Sequence, residues 1–236
     1  LVLAPSGAPR EAWGVAFSQD GRTLAVGGYQ DIRLWDTKTG EQTILVGHEG
    51  TVVSVAFSAD GRLVASCGTG GLVKLWSTVT WRAIASHHFP YVDPINEGGS
   101  GFVPKIAAFS VAFTPEGDAL VAGSPDQITR WDVHTGTEIA SHRLPGARDL
   151  GAPVAADDLY WQGVITVALD PTGTALACGH RDGTVSVWQV DTGRKLLEVG
   201  GHRTWVTSVA FSTDGKTLAS GSHGELKLWQ LSTGQE

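Results

Sequence analysis

Residues 209–222, VAFSTDGKTLASGS, decide the fold, because close copies of this segment occur at four earlier places in the chain. The copies are VAFSQDGRTLAVGG at 15–28, VAFSADGRLVASCG at 55–68, VAFTPEGDALVAGS at 111–124 and VALDPTGTALACGH at 167–180. The third residue of each copy, here called the anchor, precedes a tryptophan by 18 or 19 residues. These tryptophans are Trp35, Trp76, Trp131, Trp188 and Trp229. The chain therefore contains five repeat units, called units 1 to 5 below.

Each unit has the residue pattern of β-strands. Short β-branched and apolar runs alternate with Gly, Asp, Ser and Pro, and helix-period segments are missing. In unit 5, WVTSVAFS, KTLASGS and ELKLWQL predict strands a, b and c, and a strand d follows the Thr-Gly turn in other units. One such sheet cannot cover both of its apolar faces, so neighbouring sheets must stack and curve. The sequence predicts an all-β fold, a β-propeller of five four-stranded antiparallel blades, as a single domain over residues 1–236.

The repeats resemble the WD-repeat family. Gly47-His48 matches its glycine-histidine pair, and Trp35-Asp36 matches the dipeptide that names it. In that family a His, Ser/Thr, Asp and Trp hydrogen-bond chain stiffens each blade. The resemblance implies this structural role for His48, Ser66, Trp76, Asp182, His202, Ser220 and Trp229. In the other units the hydroxyl is replaced, by Val26, Ala122 and Cys178.

The two ends of the chain are in phase with each other. Leu1-Val2-Leu3-Ala4 aligns with residues 44–47 as a strand d, and the chain ends where the strand d of unit 5 should begin. An N-terminal strand can thus complete the last blade, as it commonly does in the family. The repeat logic leaves three alternatives open: a closed ring of five blades, an arc of a larger ring, and a ring completed by another copy. The absence of methionine predicts a piece of a longer, bacterial-type signalling protein.

The candidate binding surface is the propeller face that carries two loop expansions, over about 88–105 and 143–162. Loops of this length are more often functional than accidental, although ordinary surface variation would also produce them. The resemblance places the openings of strands a and the turns between strands b and c on the same face. The predicted partner-binding residues are Trp13, Tyr29, Thr51, Val53, Phe109, Tyr160, Trp161, Arg181, Trp205, Thr207 and His223. Exposed aromatics are common anchors of protein recognition. The alternative for Trp13 and Phe109 is packing between blades.

Composition argues against several other partners. Acidic residues outnumber basic ones 24 to 17 without a basic cluster, so nucleic acid is not expected. No apolar run reaches the roughly 18 residues that cross a bilayer, and the start lacks signal-peptide features, so we expect a cytoplasmic protein. Cys67 and Cys178 lie far apart and do not have the spacing of metal ligands. No metal or cofactor is predicted.

Catalysis, sugar binding and metal binding are the competing interpretations. A hydrolase or glycosidase site in the central channel needs converging carboxylates, and Asp157-Asp158 is the only pair that suggests one. A lectin-like sugar site would use the same exposed aromatics. His87, His142 and His180 could suggest a metal, but the first two stand where the family has its structural histidine. The sequence favours a non-catalytic scaffold or sensor module that binds a protein or peptide.

Overall fold

The structure is a computed structural model, and it describes residues 13–88, 110–123, 127–143 and 164–236. These residues form eighteen strands in four antiparallel sheets and contain no helix. The all-β prediction is therefore confirmed.

The first sheet contains units 1 and 2 and has seven strands in sequential order. They are β1 (Val15–Phe17), β2 (Thr23–Gly27), β3 (Tyr29–Asp36), β4 (Gln42–Phe57), β5 (Leu63–Gly68), β6 (Leu72–Ser77) and β7 (Ala83–His88). Strand β4 runs without interruption from strand d of unit 1 into strand a of unit 2. Gly47 lies within it at a φ of 137°, a conformation that L side chains rarely adopt.

Units 3, 4 and 5 form one sheet each. Unit 3 has β8 (Ser110–Phe113), β9 (Ala119–Gly123), β10 (Gln127–Asp132) and β11 (Glu138–Arg143). Unit 4 has β12 (Val164–Leu169), β13 (Ala175–His180), β14 (Val185–Gln189) and β15 (Lys195–Val199). Unit 5 has β16 (Val206–Phe211), β17 (Thr217–Ser222) and β18 (Glu225–Gln230), followed by one bridge between Gln230 and Gln235. The segment that could complete this sheet, residues 1–4, lies outside the described residues, and so do most of both loop expansions.

The turn between strands a and b is built in the same way in units 1, 2 and 5. In unit 2, Asp60 accepts hydrogen bonds from the Ser58 hydroxyl at 2.7 Å and from the Arg62 backbone N–H at 3.0 Å. The following glycine, Gly61, has a φ of 70°, which a residue with a Cβ adopts only at a cost. The repeated Asp-Gly pair is therefore turn chemistry that sets the hairpin register.

The core lies between the units, not inside any one sheet. The cluster between units 1 and 2 contains Ile32 and Leu34 of unit 1 and Val55, Val64 and Trp76 of unit 2. Corresponding clusters join units 2 and 3, units 3 and 4, and units 4 and 5. Units 2 to 5 thus turn their tryptophans toward the preceding unit, on what we call the leading face. The strand c side chains of units 1 to 4 point toward the following unit, on what we call the trailing face.

Candidate functional site

The candidate site lies at the end of the sheets where the b-to-c turns meet the connections that enter strand a. We call this end the rim. In unit 4 the two segments touch closely, because a Cβ on Gly183 would lie 2.4 Å from the His202 carbonyl oxygen. In the described residues, the rim is therefore formed at units 1–2 and at units 4–5 by a turn of one unit and the connection into the next.

The first part of the rim joins units 1 and 2. Tyr29 pairs with Thr51 between β3 and β4, and its side chain is 71% exposed. Beside it, the Gln30 amide donates to the Glu49 carbonyl at 3.3 Å. The Thr51 backbone N–H donates to the Thr69 hydroxyl at 3.0 Å, which ties in the turn of unit 2. Tyr29 is thus an exposed aromatic residue next to a turn and a connection that hydrogen bonds hold together.

The second part of the rim joins units 4 and 5. The guanidinium carbon of Arg181 lies 4.0 Å from the centre of the Trp205 ring, a cation–π contact. Trp205 remains 45% exposed. Glu225 accepts from the Arg203 backbone N–H at 3.2 Å and lies 3.4 Å from the His202 Nδ1. These contacts hold the connection before β16 against the turn of unit 5, next to the partly exposed indole.

The other predicted partner-binding residues have different surroundings. Trp13 is 65% exposed and not enclosed between units. Val53 is half-buried and packs against the cluster between units 2 and 3. Thr207 donates to the Gly221 carbonyl at 3.3 Å, and His223 is exposed in the turn before β18. Phe109, Tyr160 and Trp161 lie outside the described residues.

Two units contain a buried His–Ser–Trp chain. In unit 2 the Ser66 hydroxyl accepts from Trp76 Nε1 at 2.8 Å and lies 2.7 Å from His48 Nε2. In unit 5 the corresponding distances, at Ser220, are 2.7 Å to Trp229 Nε1 and 2.6 Å to His202 Nε2. Asp182 does something else: its carboxylate accepts from the Thr184 backbone N–H and hydroxyl at 2.9 and 2.6 Å, which shapes the turn of unit 4.

A third chain, in unit 4, was missed by the sequence analysis. Cys178 does replace the usual hydroxyl, but Ser186 lies directly opposite it on β14. The Ser186 hydroxyl accepts from Trp188 Nε1 at 2.6 Å and lies 2.5 Å from His180 Nε2. The signal was present in the sequence, since the serine stands two residues before the tryptophan. It becomes visible only when strands b and c are paired.

Unit 1 lacks this arrangement. Val26 pairs with Arg33, so neither strand supplies a hydroxyl. Trp35 is 3% exposed, and within the described part of the chain its indole N–H has no hydrogen-bond partner. A buried donor without an acceptor destabilises the fold, so the bonding around Trp35 is weaker than around Trp76, Trp188 and Trp229.

Burial changes the acidity of several groups. Desolvation and, to a smaller extent, the charge of Lys74 lower the pKa of His48 to about 4. Burial also raises the pKa of the Cys67 and Cys178 thiols. The imidazole is therefore neutral at physiological pH, and the two cysteines are inert thiols.

The carboxylates of the a-to-b turns serve structure. The pKa of Asp20, Asp60 and Asp214 is held below its ordinary value, mainly by a hydrogen bond from the serine two residues earlier. Each of these three carboxylates thus accepts hydrogen bonds from its own turn. Asp157-Asp158 lies outside the described residues.

The histidines that suggested a metal have other neighbours. The ring of His87 lies 4.6 Å from that of Trp131, and His142 Nε2 lies 3.1 Å from the Val190 carbonyl oxygen. Across the described ranges, no three His, Cys, Asp or Glu side chains come together in a group that could hold a metal ion. Nor does any helix in those ranges have the length and apolarity to cross a membrane.

Comparison with known families identifies the repeat. The model of the family described as WD domain, G-beta repeat matches residues 6–36, 40–77, 160–189 and 193–230, which together exceed half of the chain. The chain belongs to the WD-repeat family. The matched ranges fall on units 1, 2, 4 and 5. The WD-repeat resemblance inferred from the sequence is confirmed.

Several curated proteins are similar to this WD-repeat chain. The Periodic tryptophan protein 2 homolog of Dictyostelium discoideum is 29% identical over 93% of the chain and 22% of that protein. The Guanine nucleotide-binding protein subunit beta of Oryza sativa subsp. japonica is 27% identical over 91% and 54%. The CCR4-associated factor 4 homolog of Candida glabrata is 30% identical over 77% and 31%. The chain thus spans about half or less of these relatives. All three are eukaryotic, which contradicts the expectation of a bacterial-type parent.

Proposed function

We propose that this WD-repeat chain is a non-catalytic scaffold or sensor module that binds a protein or peptide through the rim. The observation that carries the proposal is the Arg181–Trp205 stack, in which an indole is held by a cation–π contact and remains 45% exposed. A held aromatic gives a partner a large contact area at a small entropy cost. Tyr29 offers a second such contact between units 1 and 2.

Other features support the same function. One relative is by its name a subunit of a guanine nucleotide-binding protein, and another is by its name an associated factor. The carboxylates of the a-to-b turns are bound within their own turns, which favours scaffolding over glycoside hydrolysis. We further propose that residues 1–236 are one domain of five blades, with residues 1–4 as the strand that completes unit 5. A cytoplasmic location stays a prediction.

The test is selection of binding peptides from a random display library with the wild-type chain, followed by affinity measurement. Trp205→Ala should weaken the selected peptides by about 10- to 100-fold, because an aromatic anchor typically contributes 1 to 3 kcal/mol. Tyr29→Ala should weaken those that reach the first part of the rim. The matched control is Val79→Ala, since Val79 is 82% exposed but lies in a turn between strands c and d, at the opposite end of the sheets.

Two results would overturn the proposal. The first is a set of peptides whose affinity falls with Val79→Ala and not with Trp205→Ala or Tyr29→Ala, which would place binding on the opposite end. The second is turnover of a glycoside or ester by the purified chain, abolished by substitution of a single carboxylate, which would establish the enzyme alternative.

A further inference from the structure

The carboxylate of Glu225 joins the two segments that form the second part of the rim. Glu225 is the first residue of β18 and stands four positions before Trp229, so both side chains lie on the same face of this strand. That face is the leading face, which packs on unit 4. The Glu225 carboxylate therefore lies next to the connection that leads from unit 4 into unit 5.

The connection contacts this carboxylate through three groups. The Arg203 backbone N–H donates to Glu225 Oε2 at 3.2 Å, and the same oxygen lies 3.4 Å from His202 Nδ1. The Arg203 guanidinium lies 3.4 Å from Glu225 Oε1, but its side chain is 89% exposed, so this ion pair contributes little. The backbone hydrogen bond lowers the pKa of Glu225 below its ordinary value, so the carboxylate is ionised at neutral pH. A charged acceptor thus holds the backbone of the connection, and such bonds are stronger than those between neutral groups.

Trp205 follows this held backbone by two residues. Before it, the His202 ring is buried and lies 2.6 Å from the Ser220 hydroxyl. After it, Val206 is buried as the first residue of β16. Between these fixed ends, the Glu225 carboxylate holds the Arg203 backbone and the Arg181 guanidinium stacks on the Trp205 ring. The position of the indole therefore depends on both contacts.

Unit 2 shows that the carboxylate is not needed for the buried His–Ser–Trp chain. The residue four positions before its tryptophan is Leu72, which is buried and apolar. The buried chain at Ser66 is nevertheless complete. The connection into unit 2 is held instead by the Thr69 hydroxyl, which accepts from the Thr51 backbone N–H. The effect of Glu225 is therefore on the connection into unit 5, at the rim.

We infer that Glu225 is a positioning residue for the binding site at the rim, and that it fixes the connection so that Trp205 lies in its binding position before a partner is bound. The inference rests on the proposed function, in which Trp205 contacts the partner. Glu225 acts through the connection and does not contact the partner itself. An aromatic side chain that is already in place loses little conformational freedom on association, which raises affinity. Without the carboxylate, the apparent affinity falls in proportion to the fraction of chains that keep the binding position.

The first measurement uses the free 236-residue chain. Hydrogen exchange followed by NMR should show the Arg203 N–H exchanging about 10-fold faster in Glu225→Ala than in the wild type, because its acceptor is removed. Glu225→Gln keeps a side-chain oxygen that accepts this bond, so it should restore most of the protection. Glu41→Ala is the matched control, since Glu41 is exposed in the turn between β3 and β4, at the opposite end of the sheets. Circular dichroism checks that each variant is folded.

The second measurement uses the peptides that the wild-type chain selects from the display library. Glu225→Ala should weaken by about 10-fold those peptides that Trp205→Ala weakens, and it should leave unchanged those that depend only on Tyr29. Glu225→Gln should recover most of the affinity. In the Trp205→Ala background, Glu225→Ala should have no further effect, because the side chain that it positions is gone.

The inference is wrong if the exchange of the Arg203 N–H is the same in Glu225→Ala as in the wild type. It is also wrong if Glu225→Ala weakens both groups of peptides equally, which would indicate a general loss of stability. Additive effects of Glu225→Ala and Trp205→Ala would contradict it as well, since Glu225 would then contact the partner directly. Failure of the proposed function has a different signature: Trp205→Ala would weaken no peptide, and the role of Glu225 in binding would be refuted with it, whatever the exchange rate of Arg203.

Discussion

The buried hydroxyl of Ser66 should be one of the most stabilising polar groups in the chain. It accepts from the Trp76 indole N–H at 2.8 Å and lies 2.7 Å from His48 Nε2, and all three residues are buried. Ser66→Ala removes both contacts and adds no volume that could clash. Two net hydrogen bonds contribute about 1 kcal/mol each, and a buried indole N–H left without an acceptor costs a further 1 to 3 kcal/mol.

The expected destabilisation from Ser66→Ala is therefore about 3 to 5 kcal/mol. For a domain of this size that lowers Tm by roughly 6 to 20 °C. Urea unfolding followed by tryptophan fluorescence gives the free energy of unfolding directly. The matched control is Ser232→Ala, because Ser232 is exposed in the turn after β18, and its effect should stay within about 0.5 kcal/mol.

A double-mutant cycle separates the bonds from the loss of the side chain. His48→Ala combined with Ser66→Ala should cost clearly less than the sum of the two single substitutions, because each removes the same contact. The reasoning fails if Ser66→Ala lowers the free energy of unfolding no more than Ser232→Ala does. It also fails if the effects of His48→Ala and Ser66→Ala are additive, because the His–Ser–Trp hydrogen bonds would then not stabilise unit 2.

Three further predictions concern stability and reactivity. Because burial lowers the pKa of His48 to about 4, the folded state binds a proton at this imidazole less readily than the unfolded state does. The contribution of His48 to the free energy of unfolding is therefore complete above pH 6.5 and falls toward pH 4, by about 2 kcal/mol at pH 5. His48→Gln should reduce this pH dependence, as urea titrations at several pH values would show. Val26→Thr, which keeps the side-chain shape, should give the Trp35 N–H an acceptor and raise the free energy of unfolding by about 1 kcal/mol, whereas Val26→Ala should lower it. Cys67 and Cys178 are fully buried, so a thiol reagent should label neither in the native state and both in urea, as mass spectrometry would show.

The repeat made most of the fold predictable from the sequence. The anchor-to-tryptophan spacing and the glycine-containing turns between strands a and b define strands a, b and c in every unit, and the structure has those strands in all five. The family resemblance also predicted which residues form the chains at Ser66 and Ser220. Local pattern is enough here because each strand and turn depends on residues within one unit.

The relocated chain at Ser186 was harder to predict, because it depends on pairing between strands and not on position along one strand. A hydroxyl on strand c reaches the same indole N–H as a hydroxyl on strand b when the two residues are directly opposite. Cys178 and Ser186 are such a pair, and so are Ser66 and Lys74 in unit 2. A search of strand b alone therefore finds no hydroxyl in unit 4, although the opposite residue on strand c supplies one.

The contact between Arg181 and Trp205 at the rim also could not be predicted from the sequence. Arg181 and Trp205 are 24 positions apart and belong to different units, so their contact depends on how unit 4 packs against unit 5. The sequence predicted both residues separately as candidates for binding. It could not indicate that one would orient the other.

The rim and the junctions between units are physically connected. Arg181 belongs to unit 4 and Trp205 enters unit 5, so a partner that buries their stack contacts both units at once. In a repeat protein, stability is approximately the sum of the units and of the contacts between neighbours, and a terminal unit has only one neighbour. The junction between units 4 and 5 is one of these contacts. A ligand that binds only the assembled rim must stabilise that junction by mass action, so recognition at the rim and packing of unit 5 on unit 4 are linked.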